Sequence, residues 1–296
     1  MIPLPPLPIF RDWYIFYQAG QAMNHGISPY KVDGFINPIQ VAWLLSFTTW
    51  MPFSVWVPIL ICVSFLLIIV LAKKQSHWIL LSFPFVFGLS MGSLDALLWV
   101  PARLLGGLGL SLLTLKPQLG LLWIPLQLME WWRQKNWREI AAFSLACLVL
   151  WGIPTLIQPL WIRDWLVALP AMSTRTTAAA SLAGFSALTG HEWLYVVLFL
   201  IVLIILLVSR SRSFYVAAMF SPSIWPSDWM ICAEFVTWRF TLISWLLVPT
   251  GLSPNGAQFY WLLGLLVWVE QHPETMERFW RRVRQLSVSV RPHGKP

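Results

Sequence analysis

The chain alternates long apolar stretches with short polar breaks. Five windows contain no Asp, Glu, Lys or Arg: residues 34–72, 75–94, 140–162, 193–209 and 240–269. Because about 20 apolar residues carry an α-helix across the hydrocarbon core of a bilayer, several of these windows are long enough to span a membrane. The pattern therefore predicts an all-α, polytopic integral membrane protein.

Basic residues in the breaks predict how the spans are oriented, since Lys and Arg concentrate in cytoplasmic loops. The basic clusters are Lys73 and Lys74, then Arg133, Lys135 and Arg138, then Arg210 and Arg212. The predicted segments lie at residues 52–72, 78–91, 119–129, 140–157, 192–210, 229–248 and 257–269. With half-length segments included, about eight are expected in a transmembrane domain over residues 1–270, and a basic tail follows over residues 271–296.

The stretch between Gly92 and Lys116 is too short for two full spans at a rise of about 1.5 Å per residue. Counting the spans between the cytoplasmic basic clusters nevertheless places both of its ends on the extracytoplasmic side. Pro101, Arg103 and the Gly106-Gly107 pair lie near its middle, where a bend would fall. We therefore predict a hairpin of two half-length helices packed within protein, because backbone broken at membrane depth must not face lipid.

Two further stretches are predicted outside the membrane. Residues 11–38 form the first extracytoplasmic loop, and residues 158–191 form a second one. The second contains WIRDWLVALPAM, in which Trp161, Trp165 and Leu169 recur at helical spacing. This spacing predicts a helix that lies in the plane of the membrane interface.

Composition strengthens the membrane prediction and narrows the function. The chain of 296 residues is 58% apolar and 11% charged, with a formal net charge of +8. About a quarter of the residues of a soluble domain are charged, so a soluble enzyme, a nucleic-acid reader and a disulfide scaffold are excluded. A charge at membrane depth costs several kcal/mol unless it is paired, which makes each remaining charge a functional candidate.

The spacing of the polar residues indicates which chemistry is available. The sequence contains no HExxH pattern and no His/Cys ligand spacing, so no cofactor is predicted and a divalent metal has no support. What remains is acids and bases on one water-facing side. A carboxylate can remove a proton from an attacking hydroxyl, and a Lys or Arg can hold a phosphate while it leaves. This pairing suits sugar transfer from a lipid-linked phosphate.

Four segments carry a family resemblance. They are DWYIFYQAGQAMNHGISPYKVDGFINP, with Asp12, Gly26, Pro29, Tyr30 and Asn37-Pro38 at the matching positions, then GSLDALL, LTLKPQLGLLWIPLQLMEWWRQKNWRE and FSPSIWPSDW. In order and spacing they resemble polytopic glycosyltransferases of the GT-C class, family 87, which use polyprenol-phosphate-mannose donors. The chain would be a shortened or N-terminally truncated relative.

The resemblance implies a GT-C-like helical bundle with re-entrant helices in the cell (inner or plasma) membrane. It implies inverting transfer of mannose or another hexose from a polyprenyl-phosphate donor to a lipid or glycan hydroxyl on the extracytoplasmic face. Asp12 would be the catalytic base, and Lys116 and Arg175 would bind the donor phosphate. The residues expected to line the cavity are Tyr17, Tyr30, Asp33, Asn37, Asp95, Arg103 and Asp228. For Asp95, a pair with Arg103 or Lys116 is as well supported as a place in the cavity lining.

Two alternatives stay open at this point. A non-catalytic GT-C-like membrane protein that binds or moves a polyprenyl lipid would keep the fold while departing from the family motifs, as Gly92-Ser93 and Ser227 do. A secondary transporter with broken helices around a midplane site also fits the hairpin, although inspection finds no internal repeat. The expected partners are the donor, the acceptor and membrane lipids, without nucleic acid.

Overall fold

A computed structural model describes residues 9–72, 77–168, 226–248 and 259–274, with isolated positions at 181–182, 191, 193, 195–197, 200 and 219. The described residues are helical and contain no strand. The α-helices are α1 (Arg11–Asn24), α2 (Ile39–Ser46), α3 (Phe53–Leu71), α4 (Phe83–Met91), α5 (Asp95–Leu104), α6 (Gly106–Leu112), α7 (Pro117–Arg133), α8 (Trp137–Ile157), α9 (Trp161–Ala168), α10 (Trp238–Leu246) and α11 (Trp261–Gln271). The 3₁₀ helices are Pro29–Lys31, His77–Leu81, Leu113–Leu115 and Pro226–Phe235.

Two of these helices are long and apolar enough to cross a membrane, α3 with 19 residues and α8 with 21. At about 1.5 Å per residue, each reaches roughly 30 Å, the thickness of a hydrocarbon core. The pair α4 and α5 passes the same test together but is bent by 119°, as a broken span or a re-entrant loop would be. The described part of the chain therefore holds two candidate spans, or three with the bent pair, and the predicted span at residues 192–210 lies almost entirely outside it.

The predicted hairpin between Gly92 and Lys116 is present as two half-length helices. α5 and α6 meet at Leu105, and Gly106 takes a φ of 56° that suits a residue without a Cβ. Gly109 of α6 lies so close to the carbonyl of Pro101 on α5 that a Cβ there would overlap it. The hairpin is thus closed by backbone contact at a glycine.

The bend of this hairpin is fastened to the start of α8. The Glu139 carboxylate accepts a hydrogen bond of 2.6 Å from the backbone N–H of Gly107. Further along, the indole N–H of Trp151 donates to Thr114 at 2.8 Å. α6 therefore runs alongside a candidate span, as expected for a hairpin packed within protein.

Two predicted segments are interrupted. The prediction of one span over residues 78–91 is wrong, whereas residues 229–248 belong to the C-terminal segments, of which one is expected not to cross fully. Residues 78–91 form the 3₁₀ helix His77–Leu81 followed by α4, because Pro84 in the first turn of α4 fixes a helix start. Residues 229–248 divide into the 3₁₀ helix Pro226–Phe235 and α10, whose start is capped by the side chain of Thr237. Both segments are half-length elements.

The N-terminal segment 11–38, expected as a loop, begins instead with the 14-residue helix α1. Trp13, Phe16 and Tyr17 recur at i, i+3 and i+4 and are buried, with the rings of Trp13 and Tyr17 both against Trp56 of α3. An apolar stripe at this spacing is the pattern of an amphipathic helix. Packing of that stripe on a candidate span explains why the segment is ordered as a helix.

α9 forms where an interfacial helix was predicted, although Leu169 lies outside the described residues. Its inner face is fixed by Trp165, which donates to the carbonyl of Ile36 at 2.9 Å, and by Asp164, which accepts from Ser28 at 3.3 Å. Its other face exposes Leu166 and Val167. α9 therefore joins the N-terminal segment on one side and leaves an apolar stripe uncovered on the other.

Candidate functional site

Three charged residues from distant parts of the chain meet in one buried cluster. The ammonium of Lys116 donates to the carboxylates of both Asp95 and Asp228, which lie 21 and 112 residues away in sequence. Both carboxylates are fully buried, and 14% of the Lys116 side chain is exposed. We call Asp95, Lys116 and Asp228 the charge cluster.

Asp95 is positioned by the turn that leads into α5. Gly92 has a φ of 103°, and a Cβ on it would overlap the backbone of Trp13, so the turn requires glycine. Two residues on, the Ser93 hydroxyl donates to the Asp95 carboxylate and accepts the Asp95 backbone N–H at 3.1 Å. This reciprocal bonding directs the first carboxylate of α5 inward.

Lys116 lies at the junction between two helices. It ends the short 3₁₀ helix Leu113–Leu115 and precedes Pro117, the first residue of α7. A residue before proline favours an extended backbone, and Lys116 has φ −130° and ψ 73°. The sequence Lys-Pro thus turns the chain at the point where the ammonium meets the two carboxylates.

Asp228 is the third residue of the 3₁₀ helix Pro226–Phe235. The same helix carries Glu234, which forms a two-point ion pair with Arg103 of α5 at 2.6 and 3.1 Å. The Arg103 guanidinium also lies 5.8 Å from the centre of the Trp123 ring. The 3₁₀ helix and α5 are therefore joined by ionic contacts at both ends.

The protonation of the cluster follows from its burial and charge balance. Burial, and next the nearby Asp95 carboxylate, raise the pKa of Asp228 to about 8. Burial alone would lower the pKa of Lys116, but the carboxylates of Asp228 and Asp95 outweigh it and raise that pKa above its ordinary value. Near neutral pH the cluster thus holds an ammonium, one carboxylate and one protonated carboxyl, and its net charge is zero.

Asp12 lies in the first turn of α1 and is partly buried. Its neighbour Trp13 packs against Gly92 and donates to the Leu89 carbonyl at 3.4 Å, and the backbone N–H of Phe10 donates to Ser90 at 2.7 Å. The start of α1 therefore rests on the turn that ends in Asp95. The partners that hold the Lys116 ammonium among the described residues are Asp95 and Asp228.

The other predicted site residues are not brought to the cluster. The Tyr17 hydroxyl donates to the Met51 carbonyl at 2.9 Å and joins α1 to the start of α3. Tyr30 packs against Phe35, and burial raises its pKa. Asp33 is exposed and Asn37 partly buried in the turn before α2, whereas Arg175 lies outside the described residues.

Sequence reasoning missed two residues that shape the site. Ser93 stands two residues before Asp95, which is the spacing of a local side-chain cap and was readable from the sequence. Glu234 follows Asp228 by six residues, and this spacing gives no signal at a helical period of 3.6. The two acids share a face only at a period of 3.0, so the 3₁₀ conformation had to be known first.

Within the described ranges, no group of three or more His, Cys, Asp or Glu side chains could hold a metal ion. Comparison with known proteins finds no matching family, no matching curated protein and no matching solved structure. A functional proposal therefore has to rest on the charge cluster and its surroundings.

Proposed function

We propose that the chain is a membrane glycosyltransferase that moves a hexose, with mannose the first to test, from a polyprenyl-phosphate donor to a lipid or glycan hydroxyl on the extracytoplasmic face. The observation that carries the proposal is the charge cluster. Asp95, Lys116 and Asp228 come from three separate segments of the family resemblance, yet they contact one another. The three residues that the resemblance singled out thus form one site.

The charge state of the cluster suits an anionic donor. Lys116 is partly exposed and held by two carboxyl groups. Because Asp228 is protonated near neutral pH, the cluster does not repel a phosphate. The ammonium can therefore stabilise the negative charge that grows on the phosphate as the sugar leaves, and Arg175 is the proposed second phosphate ligand.

The proposed reaction is a single displacement. The acceptor hydroxyl gives its proton to the Asp12 carboxylate, its oxygen forms a bond to the anomeric carbon, and the bond from that carbon to the phosphate oxygen breaks. The electron pair of this bond leaves with the polyprenyl phosphate, whose charge Lys116 neutralises. Attack opposite the leaving group inverts the anomeric configuration. The place of Asp12 beside the turn into Asp95 supports this division of roles.

One observation favours a second function, the binding or movement of a polyprenyl-phosphate lipid without chemistry. Each member of the charge cluster already has partners within the protein, with Ser93 completing the bonds of Asp95. A cluster complete in this way can also act as a structural and binding element. The two functions differ in whether the sugar bond breaks.

The test is to incubate the purified protein in lipid nanodiscs with radiolabelled polyprenyl-phosphate-mannose and candidate acceptors, and to measure donor consumption. Asp12→Asn should lower the rate by at least about 100-fold, the usual minimum for loss of a general base. Glu130→Gln, which changes an acid at the far end of α7, is the matched control and should retain the wild-type rate. An Asp12→Asn rate equal to wild type would disprove the assigned base.

A wild-type protein that consumes no donor but binds polyprenyl phosphate would support the second function. In that case a Lys116→Met variant should bind the lipid more weakly, because the cation that meets the phosphate is gone. Donor consumption by the wild type, lost in Lys116→Met and kept in Glu130→Gln, would instead support the transferase.

A further inference from the structure

The 3₁₀ helix Pro226–Phe235 has ten residues, which is long for this conformation, and something outside the helix must hold it. We propose that Glu234, through its pair with Arg103, is the positioning residue that keeps this helix in the 3₁₀ form and so holds Asp228 against Lys116. The inference concerns the geometry of the charge cluster and goes beyond the proposed function. It holds whichever ligand the cluster meets.

The contacts of this helix repeat every three residues, as expected for 3.0 residues per turn. Ser227 and Met230 both lie against Gly88 of α4, where a Cβ would come within 3.3 and 2.7 Å of them. Asp228 and Glu234, six residues apart, both pair with residues of the α5 side. Trp229, which follows Asp228 in the chain, packs on Gly264 of α11. Three faces of the 3₁₀ helix thus contact three different neighbours, which are α4, the α5 side and α11.

The spacing of Asp228 and Glu234 matches that of Asp95, which shares Lys116 with Asp228, and Arg103 only if the helix is 3₁₀. From Asp228 to Glu234 a 3₁₀ helix rises about 12 Å, at roughly 2.0 Å per residue. From Asp95 to Arg103 an α-helix also rises about 12 Å, at roughly 1.5 Å per residue. Between Asp95 and Arg103 the direction of the side chains around α5 differs by about 80°, at roughly 100° per residue. The long Arg103 side chain spans this difference.

An α-helical form of the same segment would separate the two acids. Its rise from Asp228 to Glu234 would be about 9 Å, and the two side chains would point roughly 120° apart. Glu234 could then reach Arg103 only if Asp228 left Lys116. The two pairs are therefore coupled through the backbone between them.

The geometry of the pair between Glu234 and Arg103 suits this positioning role. Both Glu234 oxygens accept from the guanidinium, and 8% of the Glu234 side chain is exposed. Two-point pairs between Arg and a carboxylate fix orientation as well as distance. Trp123, stacked at 5.8 Å, holds the guanidinium from α7. Loss of Glu234 should therefore free the end of the 3₁₀ helix and move Asp228.

The test measures Asp228 directly and needs neither donor nor acceptor, so its failure is distinct from failure of the proposed function. Protein labelled with ¹³C-aspartate in nanodiscs is titrated by infrared spectroscopy, and the band of the protonated Asp228 carboxyl is assigned by its loss in Asp228→Asn. Among the residues that the structure describes, Asp95 and Lys116 are charged groups that face this carboxyl. In the wild type the band should disappear as the pH rises through about 8, where the pKa of Asp228 lies.

Glu234→Gln should lower the midpoint of that titration by at least about one pH unit, because Asp228 would lose its burial and its neighbour Asp95, and these two causes of its raised pKa outweigh the lost contact with Lys116. The exchanged pair Arg103→Glu with Glu234→Arg should return the midpoint close to the wild-type value. Glu270→Gln is the matched control, because Glu270 is also a largely buried acid that pairs with an arginine, Arg239, at 3.7 Å. It should leave the midpoint unchanged.

A wild-type midpoint in folded Glu234→Gln would overturn the proposal, and so would an exchanged pair that folds but leaves the midpoint lowered. If Glu234→Gln does not fold, the variant Arg103→Gln with Glu234→Gln replaces it, since no buried charge is then left unpaired. This double variant should lower the midpoint as well. An unchanged midpoint in it would count equally against a positioning role.

Discussion

The long helices and the broken helices of this protein place their side chains in opposite ways. α3 and α8 are continuous and turn many apolar side chains outward, among them Leu66, Val70, Leu148 and Leu156. α5 and the 3₁₀ helix Pro226–Phe235 are short, and their buried faces hold Asp95 and Asp228.

The difference shows where a membrane-type chain can place charge. The interior of a continuous helix offers no turn from which a short side chain could reach across. Helix ends inside the protein do offer such places, because turns such as Ser93-Leu94 and Lys116-Pro117 direct polar side chains inward. The broken elements therefore carry the buried charges and the continuous ones provide the frame.

The largest effect should come from leaving the charge cluster unbalanced. Lys116→Met removes the cation between two fully buried carboxylates, and breaking a buried pair in this way costs about 3–5 kcal/mol of stability. Chemical unfolding in detergent measures the loss. The variant that also carries Asp95→Asn and Asp228→Asn should recover much of it, because no buried charge then lacks a partner. An equally unstable triple variant would show that packing, and not charge, determines stability there.

A pair of glycine substitutions separates the two regions more sharply. Gly109→Ala forces a Cβ into the Pro101 carbonyl and should cost about 1–3 kcal/mol, as overpacking does. Gly152→Ala in α8 meets no described atom within 4 Å and should be neutral or stabilising by up to about 1 kcal/mol, since alanine is the better helix former. Thermal unfolding of both variants checks the contrast. A stabilising Gly109→Ala would mean that the hairpin is not closed at this contact.

How much the sequence could predict depends on the range of the interaction. The apolar runs predicted α3 and α8, and parity with chain length predicted the hairpin, because each depends on residues near in sequence. The Trp13, Phe16 and Tyr17 stripe of α1 is readable too, but the segment is predicted as a loop because the order of the spans places it outside the membrane.

The remaining features are not local. Lys116 and Asp228 are 112 residues apart, and only the packing of α4, α5 and the 3₁₀ helix brings them together. Pro84 interrupts a predicted span because proline fixes a helix start. This rule is local, but the apolar run continues past Pro84, so hydropathy alone does not show the break. The family resemblance singled out these residues, but it did not predict their contacts.

A smaller effect is expected where the broken hairpin meets the continuous helix α8. Glu139→Gln keeps the shape of the side chain but removes the charge that accepts the Gly107 N–H at 2.6 Å. A hydrogen bond to a charged group contributes about 1.5–3 kcal/mol, and the amide of Gln retains part of it, so a loss of about 1 kcal/mol is expected. Hydrogen exchange should quicken at residues 106–109 and remain unchanged in the middle of α8. Equal quickening in α8 would show that the two regions unfold together.

The most gradual effect is the response of the cluster to pH. The pKa of Asp228 is raised to about 8 in the folded protein, above the value of about 4 expected in an unfolded chain. The folded state therefore binds the proton more tightly, and the stability that this provides is full below about pH 4 and is lost as the pH rises through about 8. Between these values the loss is at most about 1.4 kcal/mol per pH unit. Asp228→Asn carries no such proton, so its unfolding free energy should change less with pH over this window than that of the wild type. Equal slopes for Asp228→Asn and the wild type would mean that another group titrates. A flatter slope in Asp228→Asn, together with an unaltered slope in Glu130→Gln, would locate the pH response in the broken elements and not in α3 and α8.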